Sequence, residues 1–118
     1  MFDIDINGKI TITKGDSGEG ELFLNIGTVE NPLMYELEEG DEVHFYAYAK
    51  ESFYMRDAFI HKVFTTKDLT EDKLVLISFI PQDTSNVKPG EYLYRVKLLQ
   101  PGNKVDTIVD ENTFIIKR

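Results

Sequence analysis

Asn, Gly and Pro residues cut this 118-residue chain into short segments, and that punctuation is its strongest constraint on fold. Turns are expected at Asn7-Gly8, Gly15 to Gly20, Asn31-Pro32, Gly40-Asp41, Pro81, Pro89-Gly90 and Pro101-Gly102. Gly supplies positive φ there, Pro fixes φ, and Asn closes turns through its side chain. Between the turns, apolar and polar residues alternate with the period of two of a β-strand. Phe2, Ile4 and Ile6 alternate, and Ile10 and Ile12 do so beyond Asn7-Gly8, which predicts a two-residue hairpin with φ > 0 at both central residues.

Further strands are expected over 21–26, with Leu22, Leu24 and Ile26 on one face, and over 42–49, with Val43, Phe45, Ala47 and Ala49 inward. Ala58 to Phe64 follows, with Ile60 and Phe64 inward. Lys73 to Ile80 is almost continuously apolar, which predicts a central strand covered on both faces. Glu91 to Leu99, Val105 to Val109 and Thr113 to Ile116 complete the set, and Pro81 opens a one-turn helix. Composition agrees: 28 β-branched residues (11 Ile, 8 Val, 9 Thr) and 14 aromatics stand against three alanines, a balance that suits pleated sheets rather than helical bundles.

Residues 1–118 therefore read as a single all-β domain, an antiparallel sandwich of eight or nine short strands. Tyr92 follows the Pro89-Gly90 turn, and Tyr94 lies two positions on, where antibody domains carry their second cysteine. This is the layout of a tyrosine corner and favours the immunoglobulin-like sandwich.

The formal charge of −8 argues against nucleic acid and against anionic lipid, both of which need a basic surface. The charge is uneven: residues 1–59 hold 13 acids and 4 bases, and residues 60–118 hold 8 and 9. With no cysteine, disulfides, thiolate catalysis and Cys-ligated zinc are excluded. The opening MFDIDINGKI shows no signal-peptide pattern, and no apolar run has the length of a membrane span.

Motifs for chemistry are weak. Asp3-Ile4-Asp5-Ile6-Asn7-Gly8 matches the first half of a calcium loop, but Lys14 stands where the closing Glu belongs, so a polar hairpin face is the plainer reading. Gly15 to Gly20 carries two acids and no Lys-Ser/Thr, so it reads as a strand connection rather than a phosphate loop. His44 and His61 have no ligand partner at local spacing. No catalytic, metal or cofactor residue is assigned, and an enzyme is not expected.

Interaction surfaces are the better candidates. Phe53, Tyr54, Met55 and Arg56 form an apolar connection of interface-prone residues, and His44, Tyr46 and Tyr48 form a second stripe on one strand face.

Several segments, in order, carry a family resemblance. Ile10-Thr11-Ile12-Thr13-Lys14-Gly15-Asp16, Tyr35 to Phe45 (YELEEGDEVHF), Ile80-Pro81-Gln82-Asp83-Thr84 and Lys88 to Val96 (KPGEYLYRV) resemble motifs of small phage structural domains. Val105-Asp106-Thr107-Ile108 and Phe114-Ile115-Ile116-Lys117 are similar to their closing strands. These domains are similar to the N-terminal domain of phage baseplate upper proteins. The resemblance implies an immunoglobulin-like, non-enzymatic virion or prophage protein of baseplate, tail or head. It would be made in the bacterial cytoplasm and would dock to other virion proteins. A homo-oligomer and a glycan are the further partners considered. The alternative reading is a carbohydrate-binding or adhesin-like module for host attachment, with Tyr46, Tyr48 and Tyr54 stacking on sugar rings.

Overall fold

The Asn7-Gly8 hairpin forms, but with a wider turn than the dipeptide suggests. Phe2–Ile4 (β1) pairs antiparallel with Ile10–Thr13 (β2), Phe2 opposite Ile12 and Ile4 opposite Ile10. Of the two turn residues only Gly8 has positive φ, at 86°. The Gly8 amide donates to the Asp5 carbonyl, and the Asp5 amide to the Lys9 carbonyl. Three residues thus sit in the loop, with Gly8 at its left-handed position. Ile6, expected inward, lies at the tip and is fully exposed. The Asp5 carboxylate accepts from the amides of Asn7 and Lys9, each at 2.9 Å, so the calcium-loop-like segment uses this acid to brace its own turn.

The computed structural model describes residues 1–50 and 57–118. Beyond β2 come Gly18–Leu22 (β3), Glu42–Tyr48 (β4), Ile60–Phe64 (β5), Val75–Phe79 (β6), Gly90–Gln100 (β7) and Lys104–Lys117 (β8). Two 3₁₀ turns, Thr66–Asp68 and Pro81–Asp83, complete the described elements, so the chain is all-β. Six strands form one sheet in the order β1-β2-β8-β7-β4-β5, and β3 pairs with β6 in a second. The β2–β8 pairing is parallel; the other pairings are antiparallel.

The core lies between the two sheets. Val43, Phe45 and Ala47 of β4, Tyr94, Val96 and Leu98 of β7, and Phe114 and Ile116 of β8 face Val75, Ile77 and Phe79 of β6, all buried. Phe45 sits at the centre, with ring centroids 5.2 Å from Phe79, 5.2 Å from Tyr94 and 6.0 Å from Phe114. Ile60 and Phe64 point inward as expected.

Three expectations are corrected. The 73–80 segment is not a central strand: among the described strands β6 pairs with β3 alone, and Leu76 and Ser78 on its outer face are half-buried. Its apolar run reflects one covered face and one partly covered face. Gly15 to Gly20 is not all connection. Gly15 turns, with φ 81°, but Gly18 and Gly20 belong to β3, which starts earlier than expected. The last two expected strands are one, β8, whose register slips against β7 around Tyr94 to Lys97. Bulges let this long hairpin bend without breaking.

Two tyrosine hydroxyls bond backbone carbonyls, one local and one distant in sequence. The Tyr92 hydroxyl donates to the Lys88 carbonyl, four residues upstream, and its ring meets Phe59 edge-on at 5.0 Å. The Tyr94 hydroxyl donates to the Gly8 carbonyl, fixing the β1–β2 loop to β7. Burial, with the nearby Asp5 charge adding less, pushes the Tyr94 phenol up to about 12, so it stays a neutral donor. The Tyr92→Phe variant, which removes one hydroxyl bond and little volume, is expected to lose about 1 kcal/mol of stability. An unchanged urea midpoint would show that the Lys88 bond adds nothing.

Candidate functional site

Alternation along β4 sets the first surface. With Val43, Phe45 and Ala47 buried, Glu42, His44 and Tyr46 take the outer face of the six-stranded sheet. On the neighbouring edge strand β5, His61 and Val63 take the same face. The register places Tyr46 opposite His61 and His44 opposite Val63, so the two histidines are diagonal neighbours within side-chain reach.

They meet. His44 Nδ1 lies 2.8 Å from His61 Nε2, and His44 Nε2 lies 3.0 Å from Glu42 Oε1. The Tyr46 hydroxyl stands 3.4 Å from His44 Nδ1, and its ring stacks on His61 at 4.4 Å and 17°. Burial pushes the Tyr46 phenol up. Burial and then the neighbouring His44 hold the His61 imidazole below its ordinary value of 6.5. Two imidazoles facing nitrogen to nitrogen, with one braced by a carboxylate, can share a proton or hold a cation.

Sequence spacing could not show this pairing, because His44 and His61 are joined only through strand register. Tyr48 departs from the expected stripe. It has outer-face parity but is only 4% exposed, because Arg95 lies over its ring at 5.8 Å and its hydroxyl donates to Glu111 at 3.1 Å. Phe53, Tyr54, Met55 and Arg56 lie outside the described residues.

A second surface lies on the chain that follows β3. Residues 23–36 form a short hairpin in which Ile26 donates to the Leu33 carbonyl, Tyr35 to the Leu24 carbonyl and Thr28 to the Asn31 carbonyl. Asn25 Oδ1 accepts from the amides of Gly27 (2.9 Å) and Leu33 (3.0 Å), and Thr28 Oγ1 accepts from Asn31 at 2.9 Å. At the foot, buried Asp41 accepts from the Tyr35 hydroxyl and, at 2.9 Å, from the Glu38 amide. That hydrogen bond, then burial, raises the Tyr35 phenol. Leu24 packs in the core, whereas Phe23, Val29, Leu33 and Met34 are more than half exposed. The alternation that turns Leu24 and the partly buried Ile26 toward the core turns Phe23 outward, to the same face of the hairpin as Met34.

One sequence signal did mark this region. No Lys or Arg occurs between Lys14 and Lys50, a stretch holding nine acids. Comparison with protein-family models, curated proteins and solved structures yields no match.

Proposed function

We propose that this protein is a non-enzymatic docking module of a phage or prophage virion, in baseplate, tail or head, and that it acts by binding other virion proteins. The 23–36 hairpin carries this reading. It offers Phe23 and Met34, both more than half exposed, on one face, with exposed Val29 at its tip, and large exposed apolar groups in one place mark contact surfaces. The base-free, acid-rich chain around it favours a partner with an apolar socket and a Lys/Arg rim, because complementary potentials steer and select the encounter.

The ordered phage-like motifs support the same reading, and the finer fold fits it. Strands β4, β7 and β8 follow the C-F-G order of an immunoglobulin-like sandwich, facing β3 and β6 as the B and E pair. Tyr92 occupies the corner position at the start of the F-like strand. The carbohydrate reading has less behind it, since Tyr48 is covered and Tyr46 has one ring face on His61.

Immunogold labelling of particles purified from an induced culture tests the proposal. The chain is expected in symmetric copies at one place on the particle; its absence from every particle would overturn the reading. The Phe23→Asp/Met34→Asp variant is expected to fold as a monomer yet to be incorporated at least tenfold less. Incorporation at the wild-type level would remove the hairpin from the contact.

A further inference from the structure

We propose that His44 and His61 form a binding site for a tetrahedral, imidazole-preferring divalent cation of the zinc class, held by His44 Nδ1 and His61 Nε2. The two rings are already placed for it. Their centroids are 5.1 Å apart. With metal–nitrogen bonds of about 2.0–2.1 Å and a tetrahedral angle, two imidazole centroids lie about 5.2 Å apart. The rings need only swing in place, so that the nitrogens part from 2.8 Å to about 3.3 Å and their lone pairs converge.

The surroundings fix the donor atom on His44. An ionised Glu42 can only accept, so its contact with His44 Nε2 places the proton there and leaves Nδ1 with a lone pair, which accepts from His61 Nε2–H in the metal-free chain; to ligate, His61 moves that proton to Nδ1. A carboxylate behind a histidine is the usual outer support of such a ligand, setting its tautomer and raising its basicity. Tyr46 stacks on His61 and holds its plane.

The nearby cations are engaged elsewhere. Lys97, opposite His44 on β7, bonds Thr107 Oγ1 of β8, on the side away from β5. Arg95, opposite Tyr46, bonds Glu111. Lys62 pairs with Asp83 at 2.7 Å. Among the described residues no third His, Cys, Asp or Glu completes a cluster. The two ring nitrogens fill two positions of a tetrahedral ion, and water or a ligand from a bound partner would fill others.

Calorimetric titration of the untagged, metal-free full chain with zinc chloride tests this. Near neutral pH one zinc per chain is expected. His44→Gln and His61→Gln should each weaken binding at least tenfold, and Glu42→Gln by about tenfold, the loss typical of an outer support. Zinc should also shift the imidazole NMR signals of both histidines in the wild-type chain, a readout that needs no variant to fold. No saturable binding up to about millimolar zinc, or wild-type affinity in both histidine variants, would overturn the proposal.

Discussion

Truncating Phe45 to Ala is expected to cost about 3–5 kcal/mol, the range for a buried aromatic whose site cannot collapse. The residue is fully buried and touches three other aromatic rings, from β6, β7 and β8. Its ring therefore joins the two sheets as well as neighbouring strands within one. Three of these four rings are wholly inside the core, and Tyr94 nearly so, leaving little freedom to refill the space. Small domains are stable by only about 5–15 kcal/mol, so this one change should bring the fold close to its limit. Urea unfolding followed by tryptophan-independent circular dichroism measures it. Phe45→Leu, which keeps more of the volume, should lose clearly less. A loss under about 1 kcal/mol in Phe45→Ala would mean that the two sheets do not meet at this ring.

The core was legible because strands write their buried face at every second residue. Val43, Phe45 and Ala47, and likewise Tyr94, Val96 and Leu98, needed only that period. What the period cannot encode is which strands are neighbours. Lys73 to Ile80 looks central because its apolar run is long, yet β6 belongs to a pair, and its outer side chains are half-covered. Likewise Ile6 continues the alternation of Phe2 and Ile4, but the turn begins one residue earlier and carries it into solvent.

The candidate surfaces were less legible for the same reason. The alternation of β4 places His44 and Tyr46 on its outer face, where they lie. His61 joins them only because β5 pairs with β4 in a register that sets it opposite Tyr46. The Tyr48 misreading is instructive: parity places it outside, but Arg95 and Glu111, from β7 and β8, cover it. Parity assigns a side chain to a face, and long charged neighbours decide whether that face is wet. The 23–36 hairpin is legible only in its first arm, where Leu24 and Ile26 alternate; its turn comes from Asn25 and Thr28 side chains bonding backbone.

The glycines of β3 give the second large effect. A Cβ on Gly18 would lie 2.4 Å from Phe2 Cγ and 2.6 Å from Phe2 Cβ. These atoms sit close to the β1 backbone and cannot swing aside. A Cβ on Gly20 would meet Ile4 Cδ1 at 2.5 Å, the free end of a flexible chain. Glycine inside a strand is otherwise a liability of about 0.5–1 kcal/mol relative to Ala, through its conformational entropy. The two positions should therefore respond differently. Gly18→Ala is expected to destabilise by about 1–3 kcal/mol, as overpacking does, while Gly20→Ala stays near neutral because entropy offsets the yielding contact. In a Phe2→Ala background the ring is gone and only the Cβ of residue 2 remains, at 2.6 Å, so Gly18→Ala should cost less than it does in the wild-type chain. Phe2→Ala alone loses the contact with Phe79, 5.6 Å away between centroids, so the double variant should be more stable than the sum of the two single losses predicts. That coupling, read from urea midpoints, is the test: strictly additive losses would mean that Phe2 is not what requires glycine at position 18. The glycine-rich run would then need another cause. As the structure stands, Gly18 and Gly20 are the space into which the first strand packs Phe2 and Ile4, joining the edge of the large sheet to the small one.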